Sequence, residues 1–90
     1  MTEVRRIVRV VNRRGLHARA SAKFVTMASG LPVEVHVGKD GSEVTGTSIM
    51  GLMMLGAAMG DEITIRADGD GAEDAVARLC ALVEGKFGED

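Results

Sequence analysis

The dipeptide Asp40-Gly41, within Lys39-Asp40-Gly41-Ser42, constrains the fold more than any other feature of this chain. Asp-Gly fills the two left-handed positions of a tight hairpin turn, so the segments on either side must run antiparallel. Before it, Val33, Val35 and Val37 alternate with Glu34 and His36, the pattern of a strand with one buried face. His36 falls on the solvent side and reads as an ordinary surface histidine. After it, Glu43 to Gly46 makes a short returning strand. Two further runs share the alternation. One is Val4 to Val11, with Val8 and Val10 inward; the other is Glu62 to Ala67, with Ile63 and Ile65 inward.

Between the strands the period changes from two to about 3.6. Leu16, Ala20, Phe24, Met27, Ala28 and Leu31 recur at helical spacing, predicting a helix from about Ala18 to Ala28 that Gly30 and Pro32 stop. Ser48 is an N-cap candidate for a short helix through Leu55. On it, Leu52 and Leu55 share one face, while Ile49, Met50 and Met53 share another. So short a helix cannot bury both faces, which predicts an exposed Met-rich patch suited to meeting several partners. Asp68-Gly69-Asp70-Gly71 reads as a turn with Asp70 as N-cap of the last helix, whose apolar face is Ala72, Ala75, Val76, Leu79 and Val83, with Phe87 pinning its end. The acidic run lacks the closing bidentate Glu of a calcium loop. The order βαββαβα predicts an α+β fold, with helices packed on one face of an antiparallel sheet.

At 90 residues the chain is one domain, 1–90. Two Phe and no Trp or Tyr leave a core of Val, Ile, Leu, Ala and Met. A net charge of −2 with so few aromatics gives neither the electrostatic attraction nor the stacking platforms of a nucleic-acid binder. Arg5, Arg6, Arg9, Arg13 and Arg14 form a local basic cluster that reads as a solvated strand face. Cys80, the single cysteine, excludes an internal disulfide, fits a reducing compartment and reads as a small buried hydrophobe. The first residues lack a signal-peptide pattern, and no apolar run could cross a bilayer. A cytoplasmic protein without membrane insertion is expected.

Chemistry concentrates in Gly15-Leu16-His17-Ala18-Arg19-Ala20-Ser21. The first N–H groups of a helix have no intrahelical acceptor, and with the positive end of the helix dipole they favour an anion. His17 stands at that junction as a nucleophile, and Arg19 adds a planar fork of donors suited to phosphate. A capping histidine beside a solvated arginine is the plainer alternative.

Two motifs resemble those of the histidine-containing phosphocarrier (HPr) family of the phosphoenolpyruvate-dependent phosphotransferase system. The first is Asn12-Arg13-Arg14-Gly15-Leu16-His17-Ala18-Arg19. The second is Ser48-Ile49-Met50-Gly51-Leu52-Met53, followed by Leu55-Gly56 and Gly60-Asp61-Glu62-Ile63-Thr64-Ile65. The resemblance implies an open-faced β-sandwich, a four-stranded antiparallel sheet with three helices on one face. It implies that His17 accepts a phosphoryl group on Nδ1 from enzyme I and passes it to a downstream acceptor protein, of a sugar-transport or a nitrogen-related regulatory branch. Arg19 then stabilises the phosphate, and the backbone of Ala18 and Arg19 contacts it. Ser48 matches the regulatory serine phosphorylated by a kinase/phosphorylase, and Ile49, Met50 and Met53 match the docking patch. The protein would be a carrier rather than a stand-alone enzyme, a monomer, with no cofactor and no metal. Three departures stand out. Ala20 replaces the family's usual Pro, and Ser21 its usual Ala. Thr26, Ser29, Thr47 and Gly51 stand where sugar-transport members often carry Lys, so docking leans on the apolar patch.

Two rival functions use the same residues. A hydrolase would pair His17 with Ser21, one helical turn on, but that motif holds no orienting carboxylate. A regulatory module would bind through Met50 and Met53 without carrying phosphate, which gives the trio Gly15, His17 and Arg19 no purpose.

Overall fold

The computed structural model describes residues 3–89. Its elements follow the order β1 (Glu3–Arg9), α1 (Ala18–Ser29), β2 (Val35–Lys39), β3 (Ser42–Thr45), α2 (Ile49–Met54), β4 (Glu62–Asp68) and α3 (Ala72–Glu84), then a single 3-10 turn over Lys86–Gly88. The four strands form one antiparallel sheet in the order β1-β4-β2-β3. The helices cover one face of it, as the alternation demanded: α3 packs on β1 and β4, and α1 on α2 and α3.

The hairpin forms as the Asp-Gly pair dictates. Asp40 and Gly41 take φ of 51° and 86°, and Lys39 pairs with Ser42 across the turn. Two consecutive left-handed residues match the twist of the strands they join. Along β4, Ile63, Ile65 and Ala67 point inward beneath α3 and meet Val8 and Val10 from the β1 side, Val35 and Val37 from β2, and Val76, Leu79 and Val83 from α3. Both phenylalanines are buried, Phe24 on α1 and Phe87 after α3, and so is Cys80. Burial of each such side chain stabilises the fold by about 1.5–3 kcal/mol.

Some boundaries differ from the sequence reading. Strand β1 ends at Arg9, yet Val10 stays tied to the chain before β4: its N–H donates to the Asp61 carbonyl (2.8 Å) and its carbonyl accepts from Gly60 (2.7 Å). Strand β2 starts at Val35, leaving Val33 half-buried ahead of it. Asp70 does not cap α3. Gly71 does, at φ 88°, with no side-chain bond, because the chain enters that helix through a left-handed residue that glycine fills best. Glu73 and Asp74 in the first turn complement the helix dipole there instead.

The five arginines do not form one face. Arg5 and Arg9 lie on the open side of the sheet, where Arg66 holds Glu43 through two bonds of 2.6 and 2.7 Å. Arg6 falls on the other face of β1, where its charge acts on Cys80 of α3. Arg13 and Arg14 are exposed in the turn before His17. Among the described residues, no helix is long and apolar enough to cross a membrane.

Candidate functional site

The turn over residues 12–15 delivers the site. Gly15 donates to the Asn12 carbonyl (3.2 Å), and the buried Asn12 amide donates from Nδ2 to the Gly15 carbonyl (2.9 Å). Gly15 adopts φ +63°, and the next N–H, of Leu16, donates to the Ala57 carbonyl at 3.0 Å. The approach is so close that a Cβ on residue 15 would lie 2.3 Å from that carbonyl oxygen. Glycine is required twice over, for the backbone angle and for the space.

His17 is the N-cap of α1. Its backbone is extended (φ −74°, ψ 179°), its carbonyl accepts the Ser21 N–H at 2.8 Å, and its ring Nδ1 accepts the Arg19 N–H at 3.2 Å. The imidazole thus does what a Ser or Asp side chain does at most helix starts. An acceptor nitrogen must carry a lone pair, so the ring proton belongs on Nε2. A carboxylate meets it there: Nε2 lies 2.6 Å from Oε2 of Glu89. The same carboxylate takes the Asn12 amide on Oε1 at 3.1 Å. These two bonds, His17 first, hold the Glu89 carboxyl below the usual range. The His17 side chain keeps 14% of its surface exposed, beside exposed Ala18 and Arg19.

Helix α2 starts in the same manner. Ser48 Oγ accepts the Gly51 N–H at 2.9 Å, and a Cβ on residue 51 would crowd that oxygen at 3.0 Å. Leu52 and Leu55 are buried beneath it. Ile49, Met50 and Met53 are exposed by 42%, 68% and 42%, and Met54 and Met59 extend the apolar surface at 79% and 58%. A concavity of about 710 Å³ lies elsewhere, on the open sheet face between Arg5, Arg9, Lys39 and Glu62. The imidazole lines no part of that concavity; it is mostly covered, with Glu89 over Nε2, and lies beside exposed Ala18 and Arg19. Among the described residues, no cluster of three His, Cys, Asp or Glu side chains could hold a metal.

A family model described as "PTS HPr component phosphorylation site" matches residues 4–85. The chain belongs to the HPr family. It is 49% identical over 82 residues to phosphocarrier protein HPr of Neisseria meningitidis, a match covering 91% of this chain and 92% of the relative. It is 38% identical over 89 residues to phosphocarrier protein NPr of Shewanella violacea, covering 99% and 98%. Among solved structures, HPr from Thermoanaerobacter tengcongensis superposes with a TM-score of 0.89 at 42% identity, covering 100% of this chain and 99% of that one.

Within this HPr fold, His17, Ala18 and Arg19 gather at one helix start as the sequence implied, and Ser48 caps α2 beside Ile49, Met50 and Met53. Ser21 does not join them. It is fully buried and donates its hydroxyl to the Leu16 carbonyl at 3.2 Å, so a His17–Ser21 hydrolytic pair has no geometric basis. Alanine at position 20 starts the helix well and is buried in the core. Sequence reasoning missed two members of the site. Asn12 entered as the first residue of the His17 motif, with no role of its own, although its amide is the buried strut between Gly15 and Glu89. Glu89 lies 72 residues from His17, and no local pattern marks it.

Proposed function

We propose that the protein accepts a phosphoryl group on His17 Nδ1 from enzyme I and hands it to a downstream acceptor protein. The observation that carries this reading is the hydrogen-bond geometry of the ring: Nδ1 lies against the Arg19 N–H that it accepts, which leaves the ring proton to Nε2 against Glu89. In the attack, the Nδ1 lone pair gives up the Arg19 N–H and forms the bond to phosphorus. The same N–H, with that of Ala18 and the Arg19 guanidinium, is then placed to bind the phosphoryl oxygens. A helix N-terminus favours an anion by about 0.3–1 kcal/mol, up to about 2 in good geometry. A hydrogen bond to a charged group adds about 1.5–3 kcal/mol. Holding of this size suits a carrier, since much tighter binding would prevent donation.

Docking falls to the apolar surface of Ile49, Met50 and Met53. Thr26, Ser29 and Thr47 are exposed without charge, which leaves little electrostatic pull on an acidic partner and favours apolar contact. That balance suits a nitrogen-related or other regulatory relay as well as sugar uptake. On this reading Ser48 is the control point, because phosphate on its hydroxyl would set a dianion against the docking patch. Incubation with phosphoenolpyruvate and enzyme I from the same source tests the proposal: the chain gains one acid-labile, base-stable phosphoryl group, and His17→Ala gains none. Equal labelling of the His17→Ala variant would refute it. Loss of labelling with partner binding intact, and full biological activity of His17→Ala, would instead favour a binding module built on Met50 and Met53.

A further inference from the structure

The chain goes to some length to bring Glu89 to His17. After α3, three consecutive residues take left-handed backbone, Lys86 (φ 61°), Phe87 (φ 55°) and Gly88 (φ 77°), although only the last is glycine. Such angles persist in L-residues only where the surroundings fix them. Here two anchors do so: Phe87 is buried to 1% exposure, and Lys23 of α1 donates from Nζ to the Phe87 carbonyl at 2.7 Å. The turn they impose carries Glu89 back over the site. Both its oxygens are engaged there, Oε1 by Asn12 and Oε2 by His17 Nε2.

We propose that Glu89 is a positioning residue that keeps the proton on Nε2 once His17 is phosphorylated, and so keeps the phosphoryl group transferable. The proposal rests on the reading of His17 as the carrier. When Nδ1 attacks phosphorus, the bond from phosphorus to the donor breaks and its electron pair leaves with the donor. The ring, now bonded at Nδ1 and protonated at Nε2, becomes a cation. The Glu89 carboxylate at hydrogen-bond distance stabilises that cation. In the return step the acceptor's nucleophile attacks phosphorus, the N–P bond breaks, and its electron pair returns to Nδ1. With the Nε2 proton in place the ring leaves as neutral imidazole. Without that proton it must leave as imidazolate, a far poorer leaving group. Glu89 therefore sets the pH above which the protein holds its phosphoryl group instead of donating it.

The surrounding charges are consistent with this role. Glu89 is held ionised by its bonds to His17 and Asn12, and Arg14 adds a favourable field. On α1, Arg19 stands at the first turn and Lys23 is occupied by the Phe87 carbonyl. Helix α2 and the loop after it, residues 49–60, bring no titratable side chain.

The test compares loaded wild type with loaded Glu89→Gln, which preserves shape and an Nε2 acceptor while removing the charge. Both are loaded with phosphoenolpyruvate and enzyme I, the phosphorylated ring is titrated by NMR, and transfer to acceptor is timed across pH. The expected result is that the Glu89→Gln ring loses its Nε2 proton about one pH unit lower than wild type, with the falling limb of the transfer profile displaced equally. Glu89→Asp, which keeps the charge, restores part of the displacement. Coincident titrations and coincident profiles would overturn the proposal and leave Glu89 as packing for the C-terminal turn. Failure of wild type itself to load would instead overturn the carrier reading, and this inference with it.

Discussion

At Gly15 the backbone refuses a side chain for two separate reasons, a positive φ and a carbonyl oxygen 2.3 Å from where Cβ would lie. Left-handed strain and overpacking combine there, so Gly15→Ala is expected to destabilise the fold by about 2–4 kcal/mol. Denaturant unfolding checks the loss, and phosphoryl loading of the surviving folded fraction reports how far His17 has been displaced. Residues whose roles are local were legible from sequence: a glycine before a helix-start histidine, with an arginine two residues on, states its geometry in a few letters. Asn12 and Glu89 were not legible, because their roles exist only once the C-terminal turn has folded back. The odd signal was there in Phe87, a large apolar residue past the end of the helical pattern. It marks an anchored turn, but nothing in the letters says what the turn carries.

Helices α1 and α2 are alike in design, each begun by a side chain that accepts from its own first turn. For α2 that cap is neutral, and Ser48→Ala is expected to cost about 1 kcal/mol in thermal or chemical unfolding. Phosphorylated Ser48 should retain the helix, since its phosphate still meets the Gly51 N–H, yet take phosphate from enzyme I more slowly. Loading at the unmodified rate would show that Ser48 is no switch. Met50→Glu places charge on a residue 68% exposed, so stability should change by less than about 0.5 kcal/mol while transfer from enzyme I weakens. An unaltered KM for the variant as substrate of enzyme I would remove Met50 from the docking surface. Two-faced α2 was readable from its spacing. Met54, one helical turn from Met50, belongs to the same period, but the reach of the patch to Met59 was not readable, because loop exposure has no period. Asp70 was misplaced for a related reason: a helix entered through left-handed Gly71 has no standard cap for its sequence to advertise.

Across the whole molecule, two carboxyls far apart in sequence tie the periphery to the sheet and the site. Glu43 is held below the usual range by its bonds to Arg66, and Glu89 by its bonds to His17 and Asn12. Their folded forms bind protons less readily than the unfolded chain does, so the stability they contribute is full above the ordinary carboxylate range. It declines as pH falls through that range. Chemical unfolding from neutral pH down to about pH 3 should show this acid-side loss, and Glu89→Gln should remove the share that belongs to the site. A decline as steep in the variant as in wild type would assign the loss to other carboxyls. The antiparallel sheet, its hairpin and its covered face followed from alternation and the Asp-Gly turn. The strand order β1-β4-β2-β3 could not, since the hairpin fixes only the β2–β3 pairing and the other neighbours are brought together by contacts distant in sequence. The central claim is narrower than the fold: the reactive atom is Nδ1 of His17, freed for attack because Nε2 holds the proton. The most direct test is nitrogen-resolved NMR of the histidine ring after loading from phosphoenolpyruvate and enzyme I. Phosphorus bonded to Nδ1 of His17, with a proton on Nε2, is the predicted result. Phosphorus on Nε2, or on any residue other than His17, would contradict it.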